Sequence, residues 1–208
     1  MRSILAAAIV ALLLSGSAFA QEYRAGVHYR VLDKPQRTQT EDRIEVREFF
    51  SYACPHCYSF FPHVRDMENR MGDDVEIVHN PVIFNQNWVP LARAYMTADA
   101  LGVVDQVHGA IFVAYHDERK RLGTEDEFAA LFAAQGVDEK AFREAWNSFA
   151  VDTGMRRADR AARDFGVAST PTMAVNGKYV IDVRTSGGQE NMIRIIEHLV
   201  EKERQAAQ

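Results

Sequence analysis

Strand and helix patterns alternate along residues 44–84. Residues 44–52, IEVREFFSY, are rich in β-branched and aromatic side chains and predict a buried strand. Residues 55–71 place apolar side chains at helical spacing, with Pro55 in the first turn, where its missing N–H is no loss. Residues 75–84, VEIVHNPVIF, return as a second strand. Together these segments predict a right-handed strand, helix, strand crossover.

The pattern between residues 85 and 166 is helical only. Thr124 and Glu127 have the spacing of a capping box, and Gly166 ends the last helical segment. About 80 residues are too many for a connecting loop, so residues 85–166 predict a helical insertion. The helices predicted within it cover residues 90–101, 104–116, 128–134, 138–149 and 152–165.

A hairpin and a terminal helix follow the helical segment. Residues 172–175 and 178–181 flank Asn176-Gly177, which is the strongest short-range signal for a β-hairpin. Residues 193–200 then form an amphipathic helix that is expected to fray toward the C-terminus.

The order of these elements predicts an α/β fold. With a short first strand at residues 28–32, the order is that of a thioredoxin-like fold with an all-helical subdomain inserted after its second long strand. Residues 21–84 and 167–208 are then the two parts of the thioredoxin-like domain, and residues 85–166 are the insertion.

The first 20 residues have the pattern of a secretory signal peptide. Arg2 precedes an apolar run at residues 4–14, and Ala18-Phe19-Ala20 supplies the small residues of a cleavage site after Ala20. The alternative is a membrane anchor, but a helix of this length spans only about half of a bilayer core. We therefore expect export to an oxidising compartment, where a cysteine pair can stay oxidised.

Composition excludes several classes of protein. The chain has 208 residues, of which 47% are hydrophobic and 25% charged, so it can bury a core. Its formal net charge is −5 and no basic stripe is visible, which argues against a nucleic-acid partner. The two cysteines, Cys54 and Cys57, are too few for a multi-bridge disulfide scaffold.

The motif Cys54-Pro55-His56-Cys57 carries the candidate chemistry. Cys54 is expected to be exposed at the start of a helix, where free N–H groups and the helix dipole stabilise a thiolate. A protonated His56 would add to this effect. A stabilised reduced form makes the disulfide a stronger oxidant. Cys57, one turn into the helix, is expected to be more buried.

Other uses of the two cysteines compete with dithiol redox chemistry. A static structural disulfide with so short a loop would be strained and would stabilise the fold little. Zinc could use both cysteines with His56 or His63, but no second pair of ligands follows, so no metal is expected. Haem attachment would need a histidine where Tyr58 stands.

Several stretches resemble one known family. Its motifs are matched by residues 48–58 (EFFSYACPHCY), 145–149 (AWNSF), 170–173 (TPTM) and 175–179 (VNGKY). In these the chain closely resembles the DsbA family of bacterial periplasmic thiol:disulfide interchange proteins. The resemblance implies a redox-active Cys54–Cys57 disulfide with no other cofactor, and disulfide donation to newly secreted, unfolded proteins that carry free thiols. It also implies reoxidation by the quinone-linked membrane partner DsbB.

The resemblance also implies roles for individual residues. Cys54 would be the nucleophile, Cys57 the resolving thiol, and Pro171 a cis-proline facing the pair. A cis bond would turn the Thr170 backbone outward to pair with an extended substrate segment. The alternative for Pro171 is an ordinary trans turn before the hairpin.

Glu48 matches the buried acid of this family, which can relay a proton to or from Cys57. From the residues alone, Glu48 could equally be an edge residue facing water. The family often places a lysine near this acid, whereas this chain offers His79. We expect Tyr52 and Phe84 in a hydrophobic rim that holds substrate. The other histidines were expected to be structural or solvated: His28, His63, His108, His116 and His198.

Other functions compete with a monomeric oxidase. Within the same fold, the chain could be an isomerase or reductase, but isomerases of this compartment usually carry a separate dimerisation domain, for which no segment is left. A peptide-binding chaperone without turnover is a second alternative, and a copper or zinc carrier is a third. Neither of these last two explains why Pro55, His56 and Pro171 occur together.

Overall fold

A computed structural model describes residues 23–40 and 42–207, so the predicted signal peptide at 1–20 lies outside the described residues. Within them, one sheet has the strand order β1-β5-β4-β2-β3. β2 and β3 are parallel, and every other neighbouring pair is antiparallel. The strands are β1 Arg30–Val31, β2 Ile44–Phe50, β3 Val75–Pro81, β4 Thr172–Val175 and β5 Tyr179–Asp182.

Helix α1, Pro55–Arg70, connects β2 to β3, and α7 Val183–Ser186 and α8 Gln189–Ala206 follow β5. Five helices lie between β3 and β4: α2 Val89–Leu101, α3 Val104–His116, α4 Glu125–Ala134, α5 Glu139–Trp146 and α6 Phe149–Asp164. This arrangement confirms the predicted α/β fold class, while the domain boundaries drawn at residues 84 and 166 stay predictions. In the part of the chain that is described, no helix has the length and apolar character needed to cross a membrane.

The boundary between α5 and α6 was predicted wrongly. The predicted helices covered residues 138–149 and 152–165, whereas α5 ends at Trp146 and α6 begins at Phe149. The apolar pattern continues across this boundary, but the Ser148 hydroxyl accepts a hydrogen bond from the Val151 N–H and caps a new helix.

The C-terminal helix is longer than predicted. It covers Gln189–Ala206, not only residues 193–200 with a frayed tail. Glu203 holds the last turns because it is buried and accepts hydrogen bonds from Asn176, Lys178 and Tyr179. The strand β3 is shorter than predicted and ends at Pro81, and α7 was not predicted.

The two faces of β2 bury different layers of the protein. Side chains point alternately to the two faces of a strand, and Val46 and Phe50 lie on the face that packs against α1. Phe49 points to the opposite face, where it packs against Phe165 at the end of α6. Glu48 shares the face of Val46 and Phe50, so the fold places this carboxylate among apolar side chains.

Candidate active site

The two cysteines lie at the junction between β2 and α1. Cys54 is the N-cap residue of α1, and Pro55 occupies the first turn, as the sequence predicted. The Cys54 N–H donates to the Ser51 carbonyl, at 3.0 Å, which fixes the turn that leads from the strand into the helix. Cys54 therefore lies at the helix N-terminus, where the helix dipole favours an anion.

The cysteines are buried to different degrees, and both are free thiols. Cys57 is fully buried, as expected for the second cysteine of the motif. Cys54 was expected to be exposed, but only 7% of it is accessible. Both belong to the apolar cluster that includes Phe50, Tyr52 and Phe112, and this packing covers most of Cys54.

The environment of Cys54 favours its thiolate. Hydrogen bonding with the Cys57 side chain is the largest cause that lowers the pKa of Cys54, to about 5, against the opposing effect of burial. The side chain of Thr170 and the backbone N–H groups of Cys57 and His56 add to this lowering. A thiol with this pKa is mostly ionised at neutral pH, so Cys54 can act as a nucleophile or leave readily as a thiolate.

The environment of Cys57 has the opposite effect. Burial raises the pKa of Cys57 well above its ordinary value, and the hydrogen bond and charge of Cys54 and the charge of Glu48 raise it further. Cys57 therefore keeps its proton at neutral pH when the pair is reduced. The two thiols of one motif are thus chemically unequal.

A loop before β4 faces Cys54. The Thr170–Pro171 peptide bond is cis, the isomer that the family resemblance implied. The Cys54 thiol lies 3.3 Å from the carbonyl oxygen of Thr170 and can donate a hydrogen bond to it. Pro171 is buried and Thr170 is half-buried, so the loop covers Cys54 on one side.

Glu48 is buried rather than facing water. It lies on β2, with His79 of β3 and Met173 of β4 as its register partners. The Nδ1 atom of His79 lies 2.7 Å from Oε2 of Glu48. Burial lowers the pKa of His79, but the hydrogen bond and the charge of Glu48 outweigh it and raise the pKa overall. The pair therefore favours a charged His79 beside the carboxylate.

A cavity of about 160 Å³ reaches His79. It is lined by His79 and by polar side chains that include Glu76, Asp99 and Arg157. The side chain of His79 is 14% exposed, whereas that of Glu48 is 3% exposed. His79 is thus the member of the pair that water can reach.

The structure departs from the sequence analysis at Tyr52 and His108. Tyr52 was expected in a substrate-binding rim, but it is buried and its hydroxyl lies 2.6 Å from Nδ1 of His108. Burial lowers the pKa of His108 well below its usual value, and the charges of His79 and Arg65 lower it further. Nε2 of His108 is buried without a hydrogen-bond partner. His108 is therefore buried rather than solvated.

The remaining predicted residues lie at the surface. Pro55 and His56 are both exposed on the first turn of α1. Phe84 is 45% exposed and packs its ring against Trp88, so it can contribute to an apolar rim. Gln189 was not predicted to lie near the motif. Its Nε2 atom donates a hydrogen bond to the His56 carbonyl, at 2.7 Å.

The arrangement supports thiol–disulfide exchange. One thiol is activated and the other is buried and protonated, and a carboxylate lies close enough to influence the buried thiol. Among residues 23–40 and 42–207, no group of three or more His, Cys, Asp or Glu side chains is placed to hold a metal ion.

Comparison with protein families and known proteins gives consistent matches. The family model of the DSBA-like thioredoxin domain matches residues 45–89 and 83–193. The thiol:disulfide interchange protein DsbA of Pseudomonas aeruginosa is 38% identical over 209 residues, which cover 100% of this chain and 99% of that protein. DsbA of Azotobacter vinelandii is 38% identical over 164 residues, which cover 79% of this chain and 77% of that protein.

Solved structures match at the level of the fold as well. The crystal structure of Pseudomonas aeruginosa DsbA has a TM-score of 0.85 and 39% identity, and the match covers 90% of this chain and 98% of that one. The crystal structure of the oxidoreductase DsbA from Xylella fastidiosa has a TM-score of 0.81 and 32% identity, over 88% of this chain and 98% of that one.

Proposed function

The chain belongs to the DsbA family of thiol:disulfide oxidoreductases, and on this premise we propose that it oxidises exported proteins by transferring its Cys54–Cys57 disulfide to them. The observation that carries the proposal is the inequality of the two cysteines, because Cys54 has a pKa of about 5 while that of Cys57 is raised. Stabilising the Cys54 thiolate stabilises the reduced protein, which makes its disulfide oxidising.

The reaction proceeds in two exchanges. A substrate thiolate attacks the sulfur of Cys54 in the oxidised protein, the Cys54–Cys57 bond breaks, and Cys57 leaves and takes up a proton. A second substrate thiolate then attacks the substrate sulfur of the mixed disulfide and expels Cys54 as a thiolate. The substrate loses two electrons and gains a disulfide, and the protein is left reduced.

We assign the proton exchange at Cys57 to Glu48 and His79. Cys57 is fully buried, so a proton cannot reach it directly from water. Glu48 lies close enough to raise the pKa of Cys57, and His79 contacts both Glu48 and the cavity. Glu48 serves as the proton donor and acceptor for Cys57, and His79 connects Glu48 with water.

We assign substrate binding to the loop at Thr170 and Pro171. The Thr170 carbonyl lies 3.3 Å from the Cys54 sulfur, so a substrate strand hydrogen-bonded to this loop would bring its own sulfur to Cys54. His56 and Pro55 are exposed beside Cys54 and complete the surface that a substrate meets.

The setting of the reaction is also part of the proposal. The protein acts in the periplasm as a monomer without a metal or other cofactor, and a DsbB-like quinone-linked membrane oxidase restores its disulfide. Cleavage after Ala20 predicts that the exported protein begins at Gln21, which N-terminal sequencing of periplasmic protein tests directly.

The function is tested by trapping the mixed disulfide. In Cys57→Ser the Cys54 thiolate can attack a disulfide of an oxidised substrate protein and expel one substrate thiolate. Because Cys57 is absent, no thiol of the enzyme can reopen this mixed disulfide, so complexes that a reductant dissolves should accumulate. Cys54→Ser keeps Cys57 and is the matched control, which should trap nothing because Cys57 is buried and protonated.

Each alternative function gives a different result. Oxidative refolding of a reduced substrate by Cys54→Ser at the wild-type rate would refute the proposal. A chaperone would protect unfolded substrates equally well without either cysteine. A metal carrier would hold copper or zinc in stoichiometric amount after purification of the reduced protein.

A further inference from the structure

A cleft of about 740 Å³ lies between α6 and the segment that precedes β2. Arg47 of β2 lines it and shares the strand face of Phe49, so the cleft lies on the face of the sheet opposite α1. Arg37 lines it from the segment before β2, and Arg157 and Arg160 line it from α6. We call it the arginine cleft after these four residues.

Three of the four arginines have no carboxylate partner in the part of the chain that the structure describes. Arg37, Arg157 and Arg160 are exposed, and none has a described carboxylate oxygen within 4.0 Å. Asp164 is the only acidic side chain among the described lining residues. The cleft is therefore positively charged in a chain whose formal net charge is −5, and it attracts anions.

The floor of the arginine cleft is fixed in place. Arg47 is only 3% exposed, and its Nε atom donates to Oε1 of Glu45, at 2.8 Å. Its guanidinium also donates to Oδ1 of Asn80, at 3.3 Å, and lies 5.7 Å from the centre of the Phe165 ring. Because Glu45 balances the charge of Arg47, the three exposed arginines are the groups available to a ligand.

The dimensions of the cleft favour an extended peptide as the ligand. Along α6 its lining runs from Arg157 to Phe165, a rise of about 12 Å. About four residues of an extended chain fit along this length. A single phosphate is much shorter, and the flat surface of a membrane does not enter a concave cleft. Guanidinium groups bind carboxylates in a bidentate geometry, so glutamate or aspartate side chains supply the complementary charge.

The cleft is near enough to Cys54 for one unfolded chain to reach both. Arg47 and Cys54 are seven residues apart in the sequence, so their Cα atoms are at most about 25 Å apart. A linker of about 15 residues extends to about 50 Å, which is twice this distance and leaves length for a path over the surface.

We propose that the arginine cleft binds acidic segments of unfolded exported proteins and thereby recruits these proteins to the redox site. This inference names a class of substrate and rests on the proposed function for its biological meaning.

The first test is the binding of a labelled peptide to the oxidised mature protein, measured by fluorescence anisotropy. The peptide has four consecutive glutamates between glycines and no cysteine, so it cannot undergo thiol exchange. We expect saturable binding that weakens as salt is raised. The double variant Arg157→Gln, Arg160→Gln should bind the peptide at least about fivefold more weakly.

The double variant Arg156→Gln, Arg163→Gln is the matched control. Both residues are exposed on α6 and do not line the cleft, and their replacement changes the net charge by the same amount. This variant should bind the peptide within about twofold of wild type.

Three results would overturn the inference. The acidic peptide could fail to bind, or the two double variants could weaken binding equally, which would show an effect of net charge alone. The third is binding to vesicles that contain phosphatidylglycerol, dependent on Arg157 and Arg160, without binding of the peptide, because the arginines would then serve a membrane surface.

The second test measures oxidation of a reduced peptide with two cysteines and the four glutamates about 15 residues away. Its KM should be lower than that of the same peptide with glutamines, with kcat unchanged, and Arg157→Gln, Arg160→Gln should abolish the difference. Equal KM values in wild type would overturn recruitment. A wild-type protein that binds the acidic peptide but oxidises neither substrate would instead refute the proposed function, because the anisotropy assay involves no thiol exchange.

Discussion

Acidification should destabilise the reduced protein selectively, because the Cys54 thiolate is lost. The pKa of Cys54 is lowered from 9.0 to about 5 in the folded protein. A group with a lowered folded pKa contributes stability that is present in full above the unfolded pKa and is lost as pH falls through the folded one. The loss should therefore extend from about pH 9 down to about pH 5, and about half of it falls below pH 7.

The size of the effect follows from the pKa. At pH 7 the stabilisation corresponds to the difference between the solution pH and the folded pKa of about 5, which is about two units. At about 1.4 kcal/mol per unit, the Cys54 thiolate contributes about 2.7 kcal/mol to the free energy of unfolding. Cys54 is 7% exposed, so solvent screens little of this contribution. The oxidised protein has no thiol at this position, so acidification should remove no such contribution from its free energy of unfolding.

The assay is denaturant unfolding of the reduced and oxidised proteins at about pH 7 and at about pH 4. The difference between the two forms cancels the titration of the carboxylates that they share. We expect reduced protein to lose about 2.7 kcal/mol more than oxidised protein on acidification. Reduced Cys54→Ala should lose no more than oxidised wild type. A difference below about 0.7 kcal/mol in wild type would refute the assignment of a stabilised thiolate to Cys54.

Three further predictions concern the buried pair and the hairpin. In Glu48→Gln, the pKa of His79 should fall because burial is no longer opposed, and an unchanged ring titration by NMR would contradict this. The stability that His79 contributes is present below its ordinary pKa of 6.5 and lost as pH rises through the raised value, so His79→Gln should destabilise the protein more at about pH 6 than at about pH 9 in urea unfolding. Gly177→Ala should cost about 1–3 kcal/mol, since Gly177 has a φ of +66° and a Cβ there would clash with the Gln36 carbonyl. Gly26→Ala is the control, because Gly26 has a φ of +78° but open space around it, and it should lower the free energy of unfolding less in the same urea experiment.

The fold and the position of the cysteines could be predicted because their signals are local. The strand 44–50, the proline at the start of α1 and the Asn176-Gly177 turn each specify their structure within a few residues. The burial of Glu48 could also have been decided from the sequence. It shares the strand face of Val46 and Phe50, and a parallel register places His79 beside it.

What could not be predicted depends on contacts between distant segments. The contact between Gln189 and His56 joins residues 133 positions apart, and no local pattern marks the glutamine. Tyr52 was predicted in a substrate-binding rim, but α3 brings His108 to its hydroxyl and both residues are buried. The low accessibility of Cys54 has the same origin, since the loop at Thr170 and the helical segment cover it.

The reduction potential of the Cys54–Cys57 pair is the sharpest test of the proposed disulfide donation. It can be measured by equilibrating the mature protein against glutathione buffers and quantifying the oxidised fraction. We predict a potential less negative than about −180 mV, the value typical of protein disulfide isomerase, because the thiolate of Cys54 stabilises the reduced form. A potential of about −270 mV, the value typical of thioredoxin, would identify a reductant and refute the proposed oxidase function.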